Sequence, residues 1–277
     1  MTIISDTPVS NTQISFIKEV CRQENIAVQS LSKDYIIRLT KGNQTRNIAG
    51  PYWDINSAAS DRIACDKFGC YTVLNGAEIP AIPHQLFFNP TRRGEWIGEN
   101  GSWTRILEYF RTHGEVVAKN NEGWGGLDVY HCTTALELEK AVSKIFQHQP
   151  NVTLSPFKDI KTEYRIFYLN GKTPFAYGKA KGEDWKFNLA QGATAFLIKN
   201  YSLKKSLEEL AKKAAHTIGI TFATVDIAQM KSGKLAVMEI NAGVQARFLV
   251  DQMPELRKKI KSIYTEAILH MFEGEKP

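Results

Sequence analysis

Two acids and an amide, Asp226, Glu239 and Asn241, have the residue types and spacing to hold a divalent cation. They lie in two alternating runs, residues 222–231 and 234–241, joined by a candidate two-residue turn at Ser232-Gly233. Such a turn sets Asp226 opposite Glu239, and the period of two puts Asn241 on the same face, while Val225, Ile227, Met238 and Ile240 share the other. Like charges facing each other across strands cost stability unless something positive lies between them. Oxygen-only donors suit Mg2+ or Mn2+, which keep several waters and bridge to substrate phosphates. An exposed face where the acids meet water or lysines gives the same pattern, and both explanations stand.

Basic groups supply the complementary chemistry. Lys119 ends a strand just before Gly123, Gly125 and Gly126, whose bare backbone lets N–H groups approach phosphate oxygens. The P-loop pattern is absent, and a surface lysine before a flexible turn is the alternative. Lys179, Lys181, Lys186 and Asn188 follow one strand and its loop, where they can converge on a phosphate or acyl phosphate or form a solvated basic strand. Arg165 and Arg247 add guanidinium forks for carboxylate or phosphate. The six histidines are scattered without ligand spacing and no Ser/His/Asp or Cys/His arrangement stands out, so no protein nucleophile is expected. The four cysteines form no C-x-x-C pair, which argues against a zinc site and a disulfide framework.

Positioning these groups requires an alternation of helices and strands. Periodicity predicts helices over 13–25, 57–75, 103–112, 134–146, 203–217 and 254–271, with Gly76 as a C-terminal cap. Strands are predicted at 35–39, 115–119, 164–169 and 173–181, the last two joined by an Asn170-Gly171 hairpin turn. The Pro-rich stretch 80–90 reads as an exposed connection. At 277 residues, 43% hydrophobic and 23% charged, the chain has room for two or three small domains and is not a disordered composition. Residues 1–10 lack signal-peptide character and no apolar stretch approaches the roughly 20 residues of a membrane helix, so a cytoplasmic enzyme with no membrane partner is expected. A net charge of +6 suits a polyphosphate or acidic small substrate as well as nucleic acid, and no basic stripe with interleaved aromatics favours the latter.

Taken in order, these blocks resemble the ATP-grasp superfamily, in the branch of cyanophycin synthetase, bifunctional glutathione synthetases and ribosomal-protein glutamate ligases. Asp66-Lys67, followed by Leu74, Gly76 and Ile79-Pro80, is similar to that family's Asp-Lys helix and its entry into the next strand. Val116 to Lys119 with the glycine loop is similar to its second ATP lysine and phosphate cover. Glu163-Tyr164-Arg165 is similar to an acidic-x-Arg triplet, Lys179 and Asn188 match a basic strand ending in N-L-x-x-G, and Glu239-Ile240-Asn241-Ala242-Gly243 with Arg247 matches E-x-N-A-G followed by an arginine. The resemblance covers about residues 57–250.

It implies an α+β ATP-grasp fold in which two α+β subdomains grip ATP. The expected boundaries are a short N-terminal domain (1–56), a subdomain with the glycine-rich loop (57–154) and a C-terminal subdomain with the metal site (155–277). Lys67, Lys119, Gly123, Gly125 and Gly126 are implied near the phosphates, and Ser155, Phe157 and Lys158 around the base. Asp226, Glu239 and Asn241 would hold one or two Mg2+ (or Mn2+) ions, and Arg165, Lys179, Asn188 and Arg247 would serve the reacting groups. The implied activity is ligation of an amino-acid or peptide carboxylate to an amine through an acyl phosphate. A small-molecule kinase on the same fold, or a nucleotide-binding regulatory protein without turnover, is the alternative. Departures include the short N-terminal domain, Phe68-Gly69-Cys70-Tyr71 where relatives often have a second lysine, and Ala193 where many have glycine. The sequence is compatible with a homo-oligomer.

Overall fold

The structure, a computed structural model, describes residues 11–89, 103–182 and 185–273. Residues 1–10, read above for targeting signals, and residue 90 of the Pro-rich stretch lie outside them. The chain begins with α1 (Asn11–Gln23), followed by β1 (Ala27–Leu31), β2 (Ile36–Lys41), β3 (Gln44–Ala49) and β4 (Tyr52–Trp53), an antiparallel meander in chain order. Periodicity showed one strand here because β1 is an almost wholly exposed edge with no apolar alternation, and β4 is two residues long. Phe16, Ile17 and Val20 of α1 face Ile37, Leu39, Ile48 and Trp53 from the meander.

The single helix expected over 57–75 is two helices, α2 (Ala58–Cys65) and α3 (Lys67–Gly76). Ser57 caps the first by accepting from the Ser60 amide; Asp66, with extended φ of −95°, breaks the run and caps the second by accepting from the Gly69 amide at 2.7 Å. A short side chain that competes for backbone N–H groups ends one helix and starts another without a glycine or proline. As a result Lys67 occupies the first position of α3.

Next come β5 (Gln85–Phe88), α4 (Trp103–His113), β6 (Val116–Lys119), β7 (Val129–Cys132), α5 (Ala135–Phe146) and β8 (Asn151–Pro156). The strands form a sheet of order β5-β8-β6-β7, and α5 starts on a capping box between Thr134 and Glu137. Phe87, Val116, Ala118, Cys132, Val152 and Leu154 pack against Ile106 of α4 and Leu138, Val142 and Ile145 of α5. The alternate residues Val117, Lys119, Thr153 and Ser155 therefore line the opposite face.

The remaining elements are β9 (Ile160–Leu169), β10 (Lys172–Ala180), β11 (Thr194–Leu197), α6 (Tyr201–Ile218), β12 (Phe222–Met230), β13 (Leu235–Asn241), α7 (Arg247–Gln252) and α8 (Arg257–Phe272). They contribute a five-stranded antiparallel sheet of order β11-β10-β9-β12-β13. Asn170 and Gly171 both take positive φ at the β9–β10 turn, as a primed two-residue hairpin requires. Within β10, a Cβ on Gly178 would overlap the ring of Phe196, so glycine there lets β11 lie close.

The β12–β13 connection differs from the expected two-residue turn. The Met230 amide donates to the Lys234 carbonyl at 2.9 Å, and Gly233 closes a three-residue loop at φ +86°. This shifts the register by one, and an irregularity between Asp226 and Ile227 shifts it back, so Asp226 stands opposite Glu239 while Ile227 pairs with Val237. The extra residue is Met238; Val237, not Met238, joins Val225, Ile227 and Ile240 in the apolar core.

Packing crosses the expected domain boundaries. Ala64 of α2 and Cys70 and Leu74 of α3 pack with α6 against Tyr164, Ile166 and Val225 of the five-stranded sheet, not against the four-stranded one. Helix α1 and the N-terminal meander share their core with Phe167, Phe222 and α8, through contacts such as Phe16–Tyr264 and Trp53–Phe222 with centroids 5.4 and 5.3 Å apart. Part of the Pro-rich stretch is not a free connection: Ala81 bridges Val237, and the Ile82 amide donates to the Val237 carbonyl at 2.8 Å before β5 joins the other sheet. Among the described residues no helix is long and apolar enough to cross a membrane.

Asn56 ties the start of β12 to α2. Its Oδ1 accepts from the Thr221 and Phe222 amides, and its Nδ2 donates to the Phe222 carbonyl and to Asp61 Oδ1. Burial pushes the Asp61 carboxyl up to about 6, with the Asn56 bond opposing. Because the folded value exceeds the unfolded one, the stability Asp61 contributes is full below about pH 4 and lost as pH rises through 6. Asp61→Asn keeps an acceptor for Asn56 and removes the ionisation. In urea titrations, wild-type stability relative to Asp61→Asn should fall by about 2–3 kcal/mol between about pH 4 and pH 8; a difference constant with pH would show that Asp61 ionises without penalty.

Candidate functional site

One face of the five-stranded sheet changes character along its strands. Near the N-terminal meander it carries Phe167, Leu169 and Phe222; further along, the same alternation places Glu163 and Arg165 on β9, Lys179 on β10 and Asp226 on β12. Cross-strand register puts Arg165 opposite Asp226 and Lys179 opposite Glu163, with Glu239 beyond Asp226 on β13. Arg165 grips Asp226 with two parallel bonds, Nε to Oδ1 at 2.7 Å and Nη2 to Oδ2 at 2.5 Å. Lys179 pairs with Glu163 and lies 3.3 Å from Asp226 Oδ2.

Three members of this cluster are dry, Asp226 at 2% exposed, Lys179 at 4% and Glu163 at 7%, whereas the Arg165 side chain keeps 23% of its surface open. Burial alone would raise the Asp226 carboxyl, but the adjacent Arg165 and Lys179 charges outweigh it and hold the group down. Burial moves the Glu163 carboxyl up, Asp226 adds to that, and Lys179 opposes. Burial lowers both the Lys179 amine and the Arg165 guanidinium, and Arg165 lowers Lys179 further, but the Asp226 and Glu163 carboxylates outweigh these and raise both groups. Two acids and two bases thus balance within one patch, an arrangement costly to break because any survivor is a buried unpaired charge.

Glu239 and Asn241 sit at the edge of this patch, half-buried, with Asn241 Nδ2 donating to Glu239 Oε1 at 3.1 Å. Their oxygens fit a hard divalent cation. Asp226 fits less simply, because both of its oxygens carry the Arg165 fork, and it would join the set only by releasing one of those bonds. Among the described residues no group of three His, Cys, Asp or Glu side chains has metal-holding geometry.

Lys119 projects from the other sheet into the field of Glu239, Glu163 and Lys67; burial pushes its amine down to about 8, with Lys67 adding to the shift and the two glutamates opposing. Lys67 is buried and donates to the carbonyls of Asn121, at 3.4 Å, and Gly123, at 2.6 Å. Its amine therefore holds the glycine-rich loop. Asn121 fixes the loop base, its Oδ1 accepting from the Phe68 amide and Thr153 Oγ1, and Arg62 pairs with Glu122. From across the cleft, Asn188 Nδ2 donates to the Gly125 carbonyl at 2.5 Å, with Gln191 Nε2 3.5 Å from the same oxygen. Gly125 and Gly126 have φ of +66° and +73°, and a Cβ on Gly126 would lie 2.8 Å from Asn188 Nδ2.

Several candidates stand elsewhere. Asn188 contacts the loop and caps residues 189–191 instead of joining the charged cluster. Arg247 opens α7, half-exposed beside Asp251 and the Phe248 ring. Lys158 is exposed. Ser155 is buried on β8 opposite Val117, and Phe157 stacks on His131 at 3.9 Å, with Trp185 against both rings. Sequence reasoning named Phe157 but missed Asn121, Gln191, Arg62 and the His131 and Trp185 rings beside Phe157, because each acts through a partner distant in sequence.

Removing the Asn188 clasp should loosen the loop without unfolding the chain. One hydrogen bond worth about 1 kcal/mol shifts an opening equilibrium about fivefold. Asn188→Ala should raise amide hydrogen exchange across residues 120–127 by that factor, with a small change in melting temperature; unchanged exchange would mean that Lys67 and Arg62 hold the loop alone.

Comparison with known proteins agrees with this architecture. The profile of the RimK-like ATP-grasp domain matches residues 64–261, more than half of the chain. Tetrahydromethanopterin:alpha-L-glutamate ligase of Methanocaldococcus jannaschii is 28% identical over 89 residues, 32% of this chain and 29% of that protein. Alpha-aminoadipate–LysW ligase LysX of Saccharolobus solfataricus is 31% identical over 148 residues, 50% and 51% of the two chains. The matches thus span about half the length of these relatives or less. D-alanine–D-alanine ligase from Bacillus anthracis superposes with a TM-score of 0.59 at 17% identity, over 79% of this chain and 72% of that one, which shows a shared fold. With its two facing sheets, glycine-rich loop and matching profile, this chain belongs to the RimK-like ATP-grasp family.

Proposed function

We propose that the chain is an ATP-dependent carboxylate–amine ligase working through an acyl phosphate. The observation that carries this reading is the convergence of a charge-balanced Arg165–Asp226–Lys179–Glu163 cluster, flanked by Glu239 and Asn241, on a cleft roofed by a lysine-held glycine loop. A carboxylate oxygen attacks the terminal phosphorus of ATP and ADP departs; the amine nitrogen then attacks the carbonyl carbon, phosphate leaves with that oxygen, and the nitrogen gives up a proton.

Each residue has a task in this scheme. Lys119 and Lys67 neutralise phosphate charge, and Lys67 exchanges its loop carbonyls for phosphate oxygens as nucleotide enters. Loop backbone N–H groups cover the phosphates and exclude water. Arg165, fixed by Asp226, offers donors to the transferring phosphoryl group and to the oxygen of the tetrahedral intermediate, while Lys179 holds the local charge. A Mg2+ or Mn2+ ion on Glu239 and Asn241, with Asp226 as a third candidate, would neutralise charge on the phosphates. Ser155 and Phe157 are the base-side residues.

The names of the two relatives carry glutamate and α-aminoadipate, amino acids with a second carboxylate. An acidic amino acid is therefore the first substrate to test in this basic chain. Phosphate release from Mg-ATP, measured against amino acids and short peptides singly and in pairs with mass detection, should require a pair and yield a product lighter by one water than its parts. A stable phosphorylated product from one substrate would make the protein a kinase. With a turning-over pair in hand, Glu239→Gln should retain the fold and lose at least about a hundredfold in turnover, several kcal/mol at a charge facing a catalytic cation; near-normal turnover would remove Glu239 from the mechanism.

A further inference from the structure

His84 is enclosed at the junction of the two sheets, 3% exposed, and apart from a loose contact with the Met238 backbone neither ring nitrogen has a hydrogen-bond partner. Pairing of Gln85 with Leu154 sets it beside Ser155, which pairs in turn with Val117. Phe87 points into the core with α4 and α5, so the alternation turns His84 and Leu86 to the cleft side. Its neighbours are the Tyr71 ring, edge-on with centroids 6.4 Å apart, the Met238 backbone and the fields of Lys119 and Lys67. A buried polar group left without partners is expensive, and a native chain that keeps one has a use for it.

We propose that His84 is a nucleotide-binding residue whose ring nitrogens hydrogen-bond the nucleoside half of the nucleotide, a base nitrogen or a ribose hydroxyl. The inference rests on the ATP-dependent reading above. Burial, with the two lysines adding to it and the Met238 backbone only weakly opposing, holds the imidazole well below its ordinary pKa, so the ring is neutral and offers one donor and one acceptor. Phosphate oxygens have Lys67 and Lys119 to meet them. A nucleoside presents both donors and acceptors, and His84 stands in the same cross-strand row as Ser155, on the base side of the cleft.

His84→Leu removes both nitrogens, and His84→Gln keeps a donor and an acceptor. Binding of ATP, adenosine, adenine and inorganic tripolyphosphate to the full chain would be measured by calorimetry or competition, with the melting temperature of each unliganded variant. Expected are a loss of about tenfold in ATP and adenosine affinity for His84→Leu (about 1.4 kcal/mol), a loss within about threefold for His84→Gln, unchanged tripolyphosphate binding, and an unliganded melting temperature for His84→Leu at or above wild type. A loss shared by adenine assigns the base, and one confined to adenosine assigns the ribose. Wild-type adenosine affinity in His84→Leu, or a loss equal for tripolyphosphate, overturns the proposal. A wild-type protein that binds no ATP would instead overturn the functional reading itself.

Discussion

The Arg165–Asp226 fork fixes the geometry on which the candidate site depends. It joins β9, the middle strand of the five-stranded sheet, to its neighbour β12, and their antiparallel pairing makes this part of the sheet stiff. With Lys179 and Glu163 alongside, the patch is balanced in charge and buried except at Arg165, so each side chain is fixed by the others. The same sheet face is apolar toward the N-terminal meander, and the Trp53–Phe222 and Phe16–Tyr264 contacts anchor that half. A charged surface on one end of a rigid sheet and a packed core on the other is how a small chain holds reactive groups still.

The opposing wall is held by smaller interactions. The glycine-rich loop follows a short sheet edge, and its backbone carbonyls accept from Lys67 below and Asn188 across the cleft. Single hydrogen bonds to a glycine backbone break readily, so this wall can open while the charged wall stays fixed. Lys67 commits its amine to two loop carbonyls, those of Asn121 and Gly123, so the position of the loop depends on this one side chain.

The hairpin of β12 and β13 shows how a correct pairing can rest on an incomplete reason. Alternation and a Ser-Gly turn predict Asp226 opposite Glu239, and that pair exists. It exists because a three-residue loop and an irregularity at Met238 cancel each other. The core position passes to Val237, and the Met238 backbone faces His84.

The sequence by itself determined the order of chemical groups along the chain, the strand faces on which they stand and most helices, because period and caps are local properties of neighbouring residues. It also carried the family resemblance. Tertiary structure alone decided that Lys67 would hold the loop carbonyls, that α2 and α3 would pack on the second sheet, and that Asn188 would clasp Gly125. Each of those outcomes joins residues far apart in sequence, and spacing along a chain records which face a residue takes but not what the fold brings against it.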